Sequence, residues 1–245
     1  GGDYPVPMTV RIALGRQWGN GPQHTINSKG IFTMPGLSVV CPSTPQAAYS
    51  LLIEAVEDNN PVIFLEPRWC YKLKEDISDT KMNLGDARVL STGTDITVVA
   101  IGDMVIEAIK AALMLEDYVS VEVIDPVSVY PIDEETILDS TRKTHRLLVC
   151  ESSTYPYSTA GQIVECVGFS EQVIRSMNAL TCPDYACPTA PSLTENYYPT
   201  AVDIANEILD MCGIKMSFDR NETFNQLNLP PTDNVSDILQ RLNGD

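Results

Sequence analysis

Basic side chains are scarce in this sequence. Against 33 Asp and Glu there are 16 Lys and Arg among 245 residues, a formal net charge of -17, so nucleic acid and anionic membrane surfaces are repelled. Histidine occurs twice, as His24 and His145, which confines imidazole chemistry near neutral pH to two positions. No apolar run approaches the roughly 20 residues of a membrane-spanning helix. The start, Gly1 to Pro7, lacks the basic and apolar regions of a secretory signal. It also lacks an initiator Met, as expected of a processed chain or of a portion of a longer one. The cysteines, at 41, 70, 150, 166, 182, 187 and 212, contain no C-x-x-C pair. A zinc ribbon is thereby excluded and a disulfide framework disfavoured; reduced, buried thiols of a cytosol-like compartment are the simplest reading. G-x-G-x-x-G and P-loop motifs are absent. Gly85-Asp86 and Gly102-Asp103 continue into neither a diphosphate nor a metal motif.

What is present is a globular balance, 44% hydrophobic and 20% charged, at a length suited to one large domain or two smaller ones. The charge is uneven. Residues 1–74 sum to +1, residues 75–213 to -16 and residues 214–245 to -2. With the polar, aperiodic run Leu73 to Lys81, this shift places a linker over 75–85 between a first unit (1–74) and a second (86–213), followed by an appended tail (214–245) that packs on the body or on a partner.

In the first unit, Val6–Ile12, Ser38–Cys41 and Pro61–Leu65 are expected as strands. Thr44-Pro45 opens a helix in which Ala47, Ala48, Leu51, Leu52, Ala55 and Val56 recur at helical spacing, ending at Asp58-Asn59-Asn60. Strand, helix, strand without a hairpin signal implies a parallel crossover. The stretch Gly15–Gly30, containing Trp18 and His24, reads as a long functional loop. In the second unit, strands are expected at Asp95–Gly102, Val119–Ile124 and Arg146–Glu151. Helices are expected at Val105–Leu115, Asp133–Leu138, Thr159–Val167 and Ala201–Met211, the last closed by Gly213. Strands apolar along their whole length belong to a sheet covered on both faces, so the fold class is α/β with a doubly wound second unit. In the tail only Val235–Leu242 resembles a helix.

Few residues carry chemistry. His24, in Gly19-Asn20-Gly21-Pro22-Gln23-His24, is either an acid, base or anion donor or a plain surface residue. His145 reads as an exposed turn residue. Asp58-Asn59-Asn60-Pro61 gathers oxygens that suit either a hard cation or simple helix capping.

Several motifs in order resemble a known family. Val6-Pro7-Met8-Thr9-Val10-Arg11, Gln23-His24-Thr25, Met34-Pro35-Gly36-Leu37-Ser38-Val39-Val40 and Glu57 to Pro67 resemble the second half of a transketolase-like pyrimidine-binding domain. Gly93 to Ala100, Glu122 to Pro126, Pro131 to Ile137 and Pro188 to Glu195 resemble a transketolase C-terminal domain. Together they resemble the β subunit of thiamine-diphosphate-dependent 2-oxoacid dehydrogenases such as pyruvate dehydrogenase. A transketolase or deoxyxylulose-phosphate synthase relative is the poorer match.

The resemblance implies oxidative decarboxylation of a 2-oxoacid with acyl transfer to a lipoyl group. It makes His24 the active-site histidine of the family's His-Ser-Gln motif, although Thr25-Ile26 follow here and the loop is one residue shorter. It assigns Met8, Ala55 and Val56, through backbone carbonyls, with Asp58 and Asn60, to a structural potassium ion, and sets Arg11 beside the active-site loop. The family's cofactor-activating glutamate and its Gly-Asp-Gly magnesium motif have no counterpart in the sequence. Thiamine diphosphate and magnesium are therefore expected in the complete enzyme, with no cofactor-binding residue in this chain, which alone is expected to be inactive. Implied partners are an α subunit or further N-terminal domains, a second copy of the chain, and the basic subunit-binding domain of a lipoyl acyltransferase; the acidic second unit suits assembly and docking. The implied compartment is the cytoplasm, or the mitochondrial matrix in a eukaryote.

Overall fold

The computed structural model describes residues 4–16, 19–25, 27, 29–155, 158–170, 173–194, 196–220 and 231–244; Trp18 and Glu195 of the preceding section lie outside them. The first unit contains β1 (Thr9–Leu14), a short helix α1 (Pro22–Thr25), a 3-10 turn at Lys29–Phe32, β2 (Ser38–Val40), α2 (Pro45–Glu57) and β3 (Val62–Pro67). β3 lies between β1 and β2 and is parallel to both, the crossover expected. Helix α2 starts where its capping chemistry dictates. Thr44 is extended and its Oγ1 accepts from Ala47 N, while Pro45 presets the first helical φ. The Glu75 carboxylate accepts from Gln46 N at 2.6 Å, satisfying another free donor and opposing the positive helix end.

The second sheet has the order β4 (Arg88–Ser91), β6 (Val121–Asp125), β5 (Ile96–Ala100), β8 (Arg146–Thr154), β9 (Ser176–Cys182). All neighbours are parallel except β4 with β6. Every residue of β5 and β6 is buried. Helix α3 (Met104–Met114) covers one face of the sheet; α4 (Glu134–Thr144) and α5 (Thr159–Phe169) cover the other. After a short α6 (Pro191–Thr194), α7 (Ala201–Met211) and α8 (Val235–Asn243) return to the first face, where Ile96, Val98, Met104, Ile109, Ile204 and Ile208 form one core. The opposite face is shared: Val99, Ile101 and Val149 pack in one cluster with Val39, Ile63 and Leu65 of the first sheet.

The two units are joined more closely than a linker implies. Strand β7 (Ser128–Tyr130), which follows β6, leaves the second sheet and pairs antiparallel with β2 in the first. At the corner Val127 has φ 57, a conformation unfavourable for a β-branched residue. It is held there by two bonds: its N–H donates to Asp125 at 2.9 Å, and its carbonyl accepts from Cys41 N at 2.8 Å. Burial pushes the Asp125 carboxyl above the usual carboxylate range, with Ser43 donating to it in partial compensation. Residues 75–82 lie along α2, where Gln46 Nε2 donates to the Ser78 and Thr80 carbonyls and Met82 N donates to Ser50 Oγ.

Several expected boundaries are corrected. β1 runs Thr9–Leu14, later than Val6–Ile12, and β8 continues to Thr154. Helix α4 runs past Leu138 to Thr144 because its polar residues face a polar spot in the core: Ser140 Oγ and Thr144 Oγ1 meet the buried Thr97 Oγ1 at 2.6 and 2.7 Å. β4, β7 and β9 were not expected at all. The described tail packs on the body. Val235 is fully buried, Lys74 bridges to Asn234 as in a parallel ladder, and Lys110 pairs with Asp233 at 2.9 Å.

Candidate active site and interdomain crevice

His24 ends its short helix at the exit of β1. The chain passes so near that a Cβ on Gly15 would stand 2.4 Å from the His24 carbonyl oxygen, so only glycine fits there. Arg68, just after β3, fixes the approach: its Nε donates to the Leu14 carbonyl at 3.3 Å and its Nη2 to the His24 carbonyl at 2.8 Å. The imidazole is exposed and faces a cavity of about 330 Å³ walled by Ile12, Leu14, Ile31, Phe32 and Arg68. An imidazole and a guanidinium at the mouth of an apolar hollow can stabilise negative charge or move a proton on a bound molecule.

Arg11 points elsewhere. Neighbouring strand residues face opposite sides, and Arg11 lines a different cavity, of about 260 Å³, with Ser43, Thr44, Glu66 and Tyr71. Its Nε donates to Glu66 Oε1 at 2.5 Å, and that bond raises the guanidinium's pKa. The structure does not bring Arg11 and His24 to one site.

Of the residues assigned by resemblance to a cation, Met8 immediately precedes β1, while Ala55, Val56, Asp58 and Asn60 lie in the last turn of α2 or just after it. The Met8 carbonyl accepts from Val62 N at 2.9 Å, the Ala55 carbonyl from Thr9 Oγ1 at 2.8 Å, and Asp58 Oδ1 from Asn60 N at 2.7 Å. A carbonyl has two lone pairs, and a helix end exposes carbonyls carrying partial negative charge. This all-oxygen set with one carboxylate fits a hard cation such as potassium. Among the described residues no three His, Cys, Asp or Glu side chains are grouped to hold a metal ion.

The most unusual feature was missed by sequence reasoning. Five ionic side chains, Arg16, Lys29, Asp103, Glu107 and Glu151, are each at most 2% exposed. Asp103 follows β5 and opens α3, whereas Glu151 lies near the carboxyl end of β8. The crevice between such adjacent parallel strands, where the connections diverge to opposite faces, is where α/β sheets commonly bind ligands. Here Arg16 and Lys29 of the β1–β2 connection are buried in it. Arg16 pairs with Asp103 at 3.2 Å and Glu107 at 3.5 Å, with its guanidinium 4.4 Å from the Trp69 ring centroid and 5.4 Å from that of Tyr198. Burial lowers the pKa of Arg16, but Glu107 and Asp103 more than offset it. Lys29 lies 3.6 Å from Glu151; burial lowers its pKa, and Glu151 together with Cys41, Asp103 and Cys182 more than offsets this. Ser152 Oγ donates to Asp103 at 2.6 Å, Asn27 Nδ2 donates to Ser152 Oγ, and Glu151 accepts from Ala160 N at 2.8 Å. The Gly102-Asp103 pair binds no diphosphate motif, yet Asp103 is central to this network. One signal was available: Glu107 stands in an otherwise apolar helix turn, and Asp103 and Glu151 each end an apolar strand.

The family model for the C-terminal domain of transketolase matches residues 85–204. The β subunit of the Bacillus subtilis acetoin:2,6-dichlorophenolindophenol oxidoreductase is 35% identical over 220 residues, covering 87% of this chain and 64% of that protein. The pyruvate dehydrogenase E1 component subunit beta of Bacillus subtilis is 33% identical over 221 residues, covering 86% and 67%. That of Acholeplasma laidlawii is 39% identical over 171 residues, covering 68% and 52%. The chain thus spans between about half and two thirds of these relatives. A split-gene transketolase, solved as an inactive beta4 tetramer, superposes with a TM-score of 0.74 at 24% identity, covering 86% of this chain and 69% of that one, a likeness of fold.

Proposed function

This chain belongs to the family of pyruvate dehydrogenase E1 β subunits and their acetoin oxidoreductase counterparts, and from that membership we propose that it is the C-terminal portion of a 2-oxoacid dehydrogenase β subunit. The observation that carries the reading is His24, held at the mouth of an apolar cavity by Arg68 on its carbonyl. The thiamine cofactor of such an enzyme supplies the carbanion chemistry. Around His24 the described wall holds Arg68, Gln23 and apolar side chains, and the cofactor's own ligands are assigned to the domains or subunit that complete the enzyme. The contribution of this chain is His24, which stabilises negative charge on the reacting molecule or assists transfer to the lipoyl group, within a complex completed by an α subunit or further N-terminal domains and by a second copy of the chain. Calorimetry with thiamine diphosphate and magnesium is expected to show no tight binding to this chain alone. The completed enzyme is expected to decarboxylate a 2-oxoacid and reductively acylate a lipoyl domain; tight binding in the first experiment, or inactivity in the second, overturns the reading.

Potassium is proposed at the end of α2, supported by the oxygens of Met8, Ala55, Val56, Asp58 and Asn60. An ion bound only by the folded state stabilises it by about 2.7 kcal/mol at a hundred times its dissociation constant. Exchanging potassium for lithium at constant ionic strength should lower the melting temperature, and Asp58→Ala should abolish the difference. Equal melting curves for the unsubstituted chain in both salts exclude the ion.

The second unit is further proposed to dock a basic subunit-binding segment of a lipoyl acyltransferase. Exposed carboxylates at Glu116, Asp117, Glu134, Glu135 and Asp139 support this. Electrostatic steering requires an association rate that falls steeply as salt rises, so a salt-independent rate would remove the docking role.

A further inference from the structure

We propose that Arg16 and Lys29 are positioning residues, two cations sunk into the strand-end crevice of the second sheet so that the segment between them, with His24, is held against the second unit. The inference deepens the reading of His24 and rests on it for its functional consequence. Its physical content stands on the crevice itself.

Arg16 and Lys29 are 1% and 0% exposed, and long cationic side chains are almost never so deeply buried without partners. Their ionic partners among the described residues belong to the second unit: Asp103 and Glu107 for Arg16, and Glu151 for Lys29. The two attachments differ in kind. Arg16 is held by a fork, donating to Asp103 at 3.2 Å and to the Pro199 carbonyl at 3.4 Å. Among the described residues the Lys29 ammonium has no hydrogen-bond partner, and it faces Glu151 as an ion pair at 3.6 Å. Asn27 and Ser152 tie the two attachments together through Asp103. At a crevice of the kind that in other α/β sheets receives a ligand, two side chains of the β1–β2 connection stand against Asp103 and Glu151, beside a cavity of about 460 Å³ lined by Asn27, Ser152, Ser153 and Tyr198. The placement of His24 therefore depends on carboxylates in a different sheet.

The test exploits the two histidines. In the double variant Lys29→Met/Glu151→Gln the buried charges are replaced by neutral groups of similar shape, a change a buried pair commonly tolerates without loss of stability. Ring signals of His24 and His145 are followed by NMR in this chain, with amide hydrogen exchange over 19–33. His145, capping α4 at the opposite end of β8, is the internal control. Exchange over 19–33 is expected to accelerate at least tenfold and the His24 ring signals to move or broaden, while His145 and the amides of α3 stay unchanged. Arg16→Lys keeps the cation and loses the fork, and should accelerate exchange over 19–25 severalfold; it is the deciding arm if the double variant does not fold. Exchange within twofold of the unsubstituted chain, with unmoved His24 signals in the folded variants, overturns the proposal. Both readouts are independent of turnover, so the fate of the catalytic reading, decided by His24 substitution in the complete enzyme, is separate.

Discussion

Arg16→Ala is expected to lower the unfolding free energy of this chain by about 3–5 kcal/mol, because removing one partner of a buried ionic group leaves the others in low dielectric without compensation. Asp103 and Glu107, both at most 2% exposed, would then face each other across the vacated space. Like charges add to the desolvation penalty. The guanidinium's contacts with Trp69 and Tyr198 are lost as well, an attraction that is strongest when desolvated. Arg11 provides the contrast. Its bond to Glu66, at 2.5 Å, is shorter than the 3.2 Å between Arg16 and Asp103, so distance alone would rank it the stronger. Yet the Arg11 side chain is 60% exposed, and water and salt screen such pairs almost completely. Arg11→Ala should melt with the unsubstituted chain. Urea denaturation of the two variants decides whether burial or distance sets the value of these pairs. Equal midpoints for Arg16→Ala and the parent would mean that the crevice is open to solvent and its ionic network without consequence.

That contrast also explains how much could be read from the sequence. The covered sheet was legible because β5 and the first half of β8 carry apolar residues on both faces, and α2 because Thr44 and Pro45 announce its start. Such features are local. β7 was not legible: its three residues follow Pro126 and precede Pro131, and what makes them a strand is the edge of β2, supplied by a distant part of the chain. β9 is mostly half-buried, with little aliphatic content, and it exists as a strand through its pairing with β8. The polar half of α4 reads as surface until Thr97 is known to lie beneath it. The site divides in the same way. His24 was visible as a rare residue in a glycine-rich loop, and the cation set through its Asp58–Asn60 run. The ionic crevice was not, since Arg16, Lys29 and Glu151 are ordinary surface types and become interior only when two sheets close over them.

His24→Ala in the completed enzyme is expected to reduce turnover by about 10²–10⁴-fold, the range for loss of a positioned acid–base or charge-stabilising group, while leaving the melting curve unchanged. The second half of this expectation follows from geometry. The local contacts of residue 24 are made by its backbone, whose carbonyl accepts from Arg68 at 2.8 Å and lies against Gly15; alanine keeps both. The imidazole itself is exposed, so its removal leaves no cavity in the core. Comparison with His145→Ala separates chemistry from composition. The His145 Nδ1 donates to the Val173 carbonyl 3.0 Å away, far along β8 from the crevice, and its loss should leave turnover intact. A fall in kcat for His24→Ala with KM preserved would place the imidazole's interaction in the transition state, whereas a rise in KM alone would make it a binding group. Unchanged kinetics in a fully assembled enzyme would remove His24 from the site and leave Arg68 as the charged side chain, among the described residues, that lines that cavity.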